Sequence, residues 1–276
     1  MLPQTLLLER VREVCQTDER LVAALLAGSL GRGEGDAYSD LDVVLFFRDE
    51  AFDQVDIKAW IEQVAPVDLY FVNSFGSPTA VFGNLVRGEF HPYRVSDMSI
   101  LETWRGSVWF PHLADAVILD RTGELTRRLQ TLVGEPRQDS PDQIQRVCYN
   151  LVNWTLFGSN VLARGETARA QELLVIAHDE LFRLLRLLEG VTGHWVSPTK
   201  SLEWEVSPAA YARYQSCTAP AEPMAMARAY RGTWGWAREM MAALARRYSL
   251  DLPEPLLLKL DQRLAGLRVD DGKDRR

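Results

Sequence analysis

Two hydrophobic periodicities divide the chain. In the first half, apolar residues recur at helical spacing over residues 6–15 and 51–64, which predicts two amphipathic helices. Residues 21–27, 41–47 (LDVVLFF) and 67–72 (VDLYFV) are apolar, β-rich runs of strand length. Residues 79–86 and 89–95 read as two further short strands around the Arg87-Gly88 turn. Such alternation predicts an α+β fold with a mixed sheet.

Past residue 134 the pattern changes. Residues 134–141 (GEPRQDSP) are polar and contain two prolines, and Ser140-Pro141-Asp142 is a helix start, so this segment reads as a linker. Beyond it, residues 143–163, 167–189, 224–248 and 256–267 read as helices, the first three of bundle length. The chain therefore reads as two domains, a mixed-sheet domain over 1–135 and an all-α helical bundle over 140–270. The charged tail after Val269 reads as frayed.

Composition narrows the classes. Of 276 residues, 47% are hydrophobic and 25% charged, as in ordinary globular proteins. No run approaches the ~18 apolar residues of a membrane span. Glu9, Arg10, Arg12 and Glu13 interrupt any leader-like start, so a cytoplasmic protein with no membrane partner is expected. Three widely spaced cysteines and four histidines form no zinc pattern. The net charge of −7 and the absence of a Lys/Arg block argue against binding long nucleic acids, because phosphate contacts supply most of that affinity.

The candidate chemistry lies in one segment, GSLGRGEGDAYSDLDVVLFF, between two strand-like runs. Gly28-Ser29 is followed by ten residues and then Asp40-Leu41-Asp42. Residues two apart on a strand share a face, so Asp40 and Asp42 aim together. Paired carboxylates repel unless a cation lies between them, and magnesium favours one or two carboxylates plus substrate phosphates. Glycine at position 28 admits a phosphate close to the backbone. Ser29 offers a hydroxyl and an amide, and a short helix from Leu30 would carry Arg32 one turn in, within reach of a triphosphate. An isolated Asp-x-Asp is commonly a surface turn; the combination with Gly-Ser and flanking strands is what points to nucleotide chemistry.

This segment resembles the signature of the DNA polymerase β-like nucleotidyltransferase superfamily. The whole chain resembles the larger, two-domain lincosamide nucleotidyltransferases. The resemblance includes Asp18-Glu19-Arg20, Gly33-Glu34-Gly35-Asp36 and Tyr38-Ser39-Asp40. It continues through the NLVRGEFH run from Asn84 to His91, Asp97-Met98, the GSNVLARGE run from Gly158 to Glu166, Ala168-Arg169 and Glu172-Leu173-Leu174. It implies a nucleotidyltransferase-type sheet domain followed by a helical domain that shapes the acceptor pocket. It also implies transfer of AMP from ATP to a hydroxyl of lincomycin or clindamycin, with Mg2+ on Asp40 and Asp42 and Glu89 as general base. Gly28, Ser29, Arg32 and Ser39 would serve the nucleotide. Asp42 stands where some relatives carry glutamate, and Arg32 where lysine is usual; both changes keep the charge.

A base within hydrogen-bond reach assists attack by a hydroxyl, and two carboxylates compete for that role. Glu89 sits in RGEFH, although a salt bridge to Arg87 or Arg94 would equally explain it. Asp68 lies inside VDLYFV, where a buried charge would be costly, although an edge position facing water would explain it too. Arg164 and Arg169 could reach a triphosphate or simply end a helix in solvent. His91, Tyr149, Asn153 and Trp154 are candidate acceptor contacts. A monomer or homodimer acting on a small-molecule antibiotic is expected. The rival readings are an aminoglycoside or protein acceptor, and a non-catalytic antitoxin-type regulator with the same fold.

Overall fold

The computed structural model describes residues 3–268. The charged tail after Val269 lies outside the described residues. The chain divides into two compact units, one through Pro136 and the other from Arg137.

The first unit runs α1 (Pro3–Thr17), β1 (Leu21–Leu26), α2 (Gly28–Gly31), β2 (Leu41–Phe47), α3 (Asp49–Phe52), α4 (Ile57–Glu62), β3 (Val67–Val72), β4 (Pro78–Phe82) and β5 (Arg87–Arg94). A 3-10 segment (Val95–Trp104), α5 (Leu113–Ala116), β6 (Val117–Asp120) and α6 (Glu124–Leu129) complete it. The six strands form one mixed sheet in the order β3-β4-β5-β2-β1-β6. Among these strands β2 and β5 pair in parallel, and the other neighbours pair antiparallel.

Strand β2 is buried on both faces, which is why its sequence is a continuous apolar run rather than an alternating one. Leu41, Val43, Leu45 and Phe47 join α1 and α4 in one core with Trp60, Phe82 and Phe90. Val44 and Phe46 face a second core made with Met98, Leu101, Leu125 and Leu129. Phe46 also stacks on Tyr93, with ring centroids 5.8 Å apart.

Two helical expectations change here. Residues 51–64 form two short helices because Asp56 accepts the Ala59 amide and caps a new start at α4. The turn after β1 is helical from Gly28 and stops at Gly31, so Arg32 is its C-cap and does not lie a turn inside it.

The second unit is helical: α7 (Pro141–Ala163), α8 (Thr167–Glu189), α9 (Leu202–Glu205), α10 (Pro208–Ser216), α11 (Pro223–Tyr248) and α12 (Glu254–Ala265). Ser140 caps α7 by accepting the Gln143 amide. Gly165, with φ +81°, makes the turn between α7 and α8. Close approach of α7 to α11 depends on Gly158, whose missing side chain leaves room for Tyr230; the Tyr230 hydroxyl donates to the Ala170 carbonyl at 2.7 Å. The loop before α9 is tied down by Arg186, a fully buried guanidinium that donates to the carbonyls of Val191, Pro198 and Lys200 and to Glu205. No helix among the described residues is long and apolar enough to cross a membrane.

Candidate active site

The sheet order builds the site. Parallel pairing of β2 with β5 sets Asp42 directly beside Glu89, and in-register neighbours on adjacent strands project from the same face. Antiparallel pairing of β4 with β5 adds Thr79, fully buried, on the other side of Glu89. Two acidic side chains 47 positions apart in sequence thus become neighbours through backbone register.

The end of β1 closes on the same point. The Ala27 amide donates to the Asp42 carbonyl at 2.9 Å. Gly28 follows with φ +59°, and a Cβ built on it would lie 2.0 Å from Asp42 Oδ2. The carboxylate occupies the space a side chain would need, so glycine is required both for the left-handed backbone and for the contact. The loop from Arg32 to Asp40 is fixed from within. The Ser39 hydroxyl accepts from the Asp36 amide at 2.9 Å and donates to its carboxylate at 3.1 Å. Gln4 of α1 donates to the carbonyls of Ala37 and Ser39. Arg32 pairs with Glu34 at 2.5 Å and lies 4.7 Å over the Trp109 ring. In this arrangement Ser39 and Arg32 serve the loop, and Ser29 is the second residue of α2.

Arg87 ties the carboxylates together. One of its terminal nitrogens donates to Asp40 at 2.6 Å and the other to Glu89. Partial burial works against its charge, but the hydrogen bonds to Asp40 and Glu89 outweigh it and hold its pKa above the ordinary guanidinium value. Glu89 also accepts from the Asn73 side-chain amide at 3.0 Å. Beside it, His91 contacts the Ser77 hydroxyl at 3.2 Å through Nδ1 and approaches Glu89 to 3.8 Å through Nε2. Burial pushes the His91 pKa down, against a smaller upward pull from Glu89, which disfavours the charged ring.

Asp68 does not join this group. It is exposed on β3, the outermost strand, at an irregularity in the pairing with β4. Three strand spacings, about 14 Å, separate β3 from β2. Arg94, the other partner considered for Glu89, binds Asp53 instead.

Carboxylates at Asp40 and Asp42 with an adjacent backbone cradle at Gly28 suit a hard divalent cation shared with phosphate oxygens. No group of three or more potential metal-ligating side chains is assembled among the described residues, so phosphate and water would have to complete the coordination.

Residues 8–83 match the family model of the nucleotidyltransferase domain, and residues 140–263 match that described as lincosamide nucleotidyltransferase-like, C-terminal domain. The chain thus carries a nucleotidyltransferase domain followed by a lincosamide nucleotidyltransferase-like C-terminal domain. The Gly28 to Asp42 segment lies inside the first match, and Arg87, Glu89 and His91 lie just beyond its end. Comparison with curated proteins finds no match. Three solved structures are similar over most of their length. An aminoglycoside 6-adenyltransferase from Bacillus subtilis is 14% identical, with 95% of this chain and 98% of that one covered and a TM-score of 0.43. A nucleotidyltransferase-like protein from Exiguobacterium sibiricum is 15% identical, with 94% and 89% covered and a TM-score of 0.38. A CCA-adding enzyme in complex with CTP is 11% identical, with 96% and 73% covered and a TM-score of 0.33.

The candidates in the lincosamide nucleotidyltransferase-like domain are spread along two helices. Arg164 and Arg169 are exposed and both lie near Glu166, at 4.0 and 3.7 Å, with Arg169 also over the Phe157 ring. The Tyr149 hydroxyl accepts from Gln145 at 2.6 Å and donates to the Asp251 carbonyl at 3.2 Å. Asn153 is exposed, and Trp154 is half-buried against Phe157.

Sequence reasoning passed over Arg87, Asn73 and Thr79 as parts of the site. Arg87 carried a usable signal: it lies two residues before Glu89, hence on the same face of a strand. Asn73 and Thr79 carried none, because their roles depend on how β4 pairs with β5 and on the turn before it.

Proposed function

We propose that this nucleotidyltransferase moves AMP from ATP to a hydroxyl of a lincosamide antibiotic, with magnesium held by Asp40 and Asp42. The observation that carries the reading is the in-register Asp42–Glu89 pair with Gly28 against the Asp42 carboxylate. The match of residues 140–263 to the lincosamide nucleotidyltransferase-like C-terminal domain supports the acceptor class.

Glu89 takes the proton of the acceptor hydroxyl while its oxygen attacks the α-phosphorus of ATP. The new P–O bond forms as the bond to the bridging oxygen of the β-phosphate breaks, and pyrophosphate leaves with that electron pair. The Asn73 amide keeps the Glu89 carboxylate aimed. Gly28 lets the backbone approach the phosphates without displacing Asp42. Magnesium, when bound, would neutralise charge on the phosphates as it builds up in the transition state. Asp68 has no part in the chemistry, and Arg164 and Arg169 remain candidates for nucleotide contact.

Mass spectrometry of lincomycin, clindamycin and kanamycin after incubation with protein, magnesium and ATP tests this. An AMP adduct on the lincosamides alone, lost in Asp40→Asn and Glu89→Gln, is the expected result. An adduct on kanamycin alone replaces the acceptor class. No adduct on any of them refutes the antibiotic assignment.

A further inference from the structure

The proposed reaction gives no role to Arg87. This side chain is 39% exposed, yet its guanidinium spans two of the three carboxylates at the site. Arg32, in the neighbouring loop, is paired with Glu34, and Arg20 and Arg94 lie at the other end of the sheet. Arg87 is therefore the cation that, among the described residues, forms salt bridges to both Asp40 and Glu89.

Its geometry is specific. Position 87 heads β5, two residues before Glu89, so both side chains leave the strand on one face. The planar fork offers separate nitrogens to the two carboxylates, which a lysine could not do at once. Asp40 and Glu89, each paired with the same guanidinium, would otherwise present like charges to one end of the sheet, and the positive charge between them offsets that repulsion. Asp40 is the contact in question, because the proposed magnesium site uses the same carboxylate. A divalent ion on Asp40 and a guanidinium 2.6 Å from its Oδ2 would repel each other. One cation has to withdraw for the other to bind fully.

We propose that Arg87 is a positioning residue that serves as the resident cation of Asp40 when metal is absent, yields Asp40 to the entering divalent ion, and then partners Glu89 alone. This rests on the metal reading above and adds to it a competition between a side chain and a metal for one carboxylate. Metal binding without nucleotide is then weaker than the carboxylates alone would allow. After exchange, Arg87 still holds the Glu89 carboxylate oriented toward the acceptor.

The test is Mn2+ binding followed by electron paramagnetic resonance, without nucleotide, on wild type, Arg87→Gln, Arg87→Lys and, as a blank, Asp40→Asn. Competition predicts that Arg87→Gln binds Mn2+ about fivefold more tightly than wild type, the equivalent of one partly exposed ion pair. Arg87→Lys retains the charge but not the two-carboxylate fork, and binds Mn2+ with an affinity between wild type and Arg87→Gln. The melting temperature of Arg87→Gln without metal falls below wild type and returns to it at saturating Mn2+, which separates the effect from misfolding. Unchanged or weaker Mn2+ binding by Arg87→Gln, with a real site in wild type, overturns the competition and leaves the proposed function standing. Signals no stronger than the Asp40→Asn blank in both proteins overturn the metal reading, and the competition with it.

Discussion

Replacing Gly28 with alanine tests how tightly the backbone is fitted to Asp42. The added Cβ would start 2.0 Å from Asp42 Oδ2, where real Cβ contacts essentially never fall below 3.0 Å. The carboxylate, the backbone or both must therefore shift by about 1 Å. The residue would also be left at φ +59° with a side chain, costing on the order of 1–2 kcal/mol. That strain lowers stability modestly, because Gly28 lies in an exposed turn. The displacement of Asp42 matters more, since a misplacement of this size at a reacting centre can cost about 100-fold in rate. Initial-rate measurements of pyrophosphate release should show kcat/KM reduced by roughly that factor, with the circular dichroism spectrum unchanged and Mn2+ binding weakened. A folded Gly28→Ala protein with wild-type kcat/KM and wild-type Mn2+ affinity would refute the claim that Asp42 works in the place described.

Glu89→Gln should lower kcat by about 100-fold or more with little change in the KM for ATP, whereas Asp68→Asn should leave both near wild type; steady-state kinetics of the two side by side decides between the carboxylates. Gly158→Ala sets a Cβ 1.9 Å from the Tyr230 hydroxyl and should cost about 1–3 kcal/mol; adding Tyr230→Phe should recover part of this in urea denaturation, since the two sites touch. His178 is buried against Thr233, Phe182 and Tyr214, and burial pushes its pKa down to about 4. The unfolded chain therefore takes up a proton at higher pH than the folded one. This contribution is full above about pH 6.5 and is lost as pH falls toward 4, by up to about 2–3 kcal/mol. In His178→Gln, denaturation midpoints measured across that window should vary less with pH than in wild type.

Much of the site was legible because its residues have chemistry that packing does not call for. Gly28-Ser29 and Asp40-Leu41-Asp42 between two apolar runs have no purpose in a core, and Glu89 in a short polar strand invited the same question. The long helices were equally plain. Residues 143–163 and 167–189 carry an unbroken helical period, and Pro141–Ala163 and Thr167–Glu189 are helical. What escaped depended on partners far away in sequence. Strand β6 is four residues, too short for a period, and exists by pairing with β1 some 95 positions earlier. The parallel register of β2 with β5 is equally invisible locally, so Glu89 could be suspected but not set beside Asp42. Asp68 looked important because an apolar run implies burial, yet β3 is an edge strand with Leu69 and Phe71 exposed as well. Arg87 read as part of a turn and proved to be the ion that links the acidic residues.

The parallel β2–β5 pair has a consequence for how the protein is made. A parallel pair cannot close as a hairpin, and here the chain between the two strands contains α3, α4, β3 and β4. Asp42 and Glu89 therefore meet only after this whole excursion has been threaded back to the centre of the sheet, a slow, non-local event. A nascent or partly unfolded chain holds all the acidic residues but no site. Any ion that needs them together would bind the finished sheet alone, and so would act as a selective stabiliser of completed molecules.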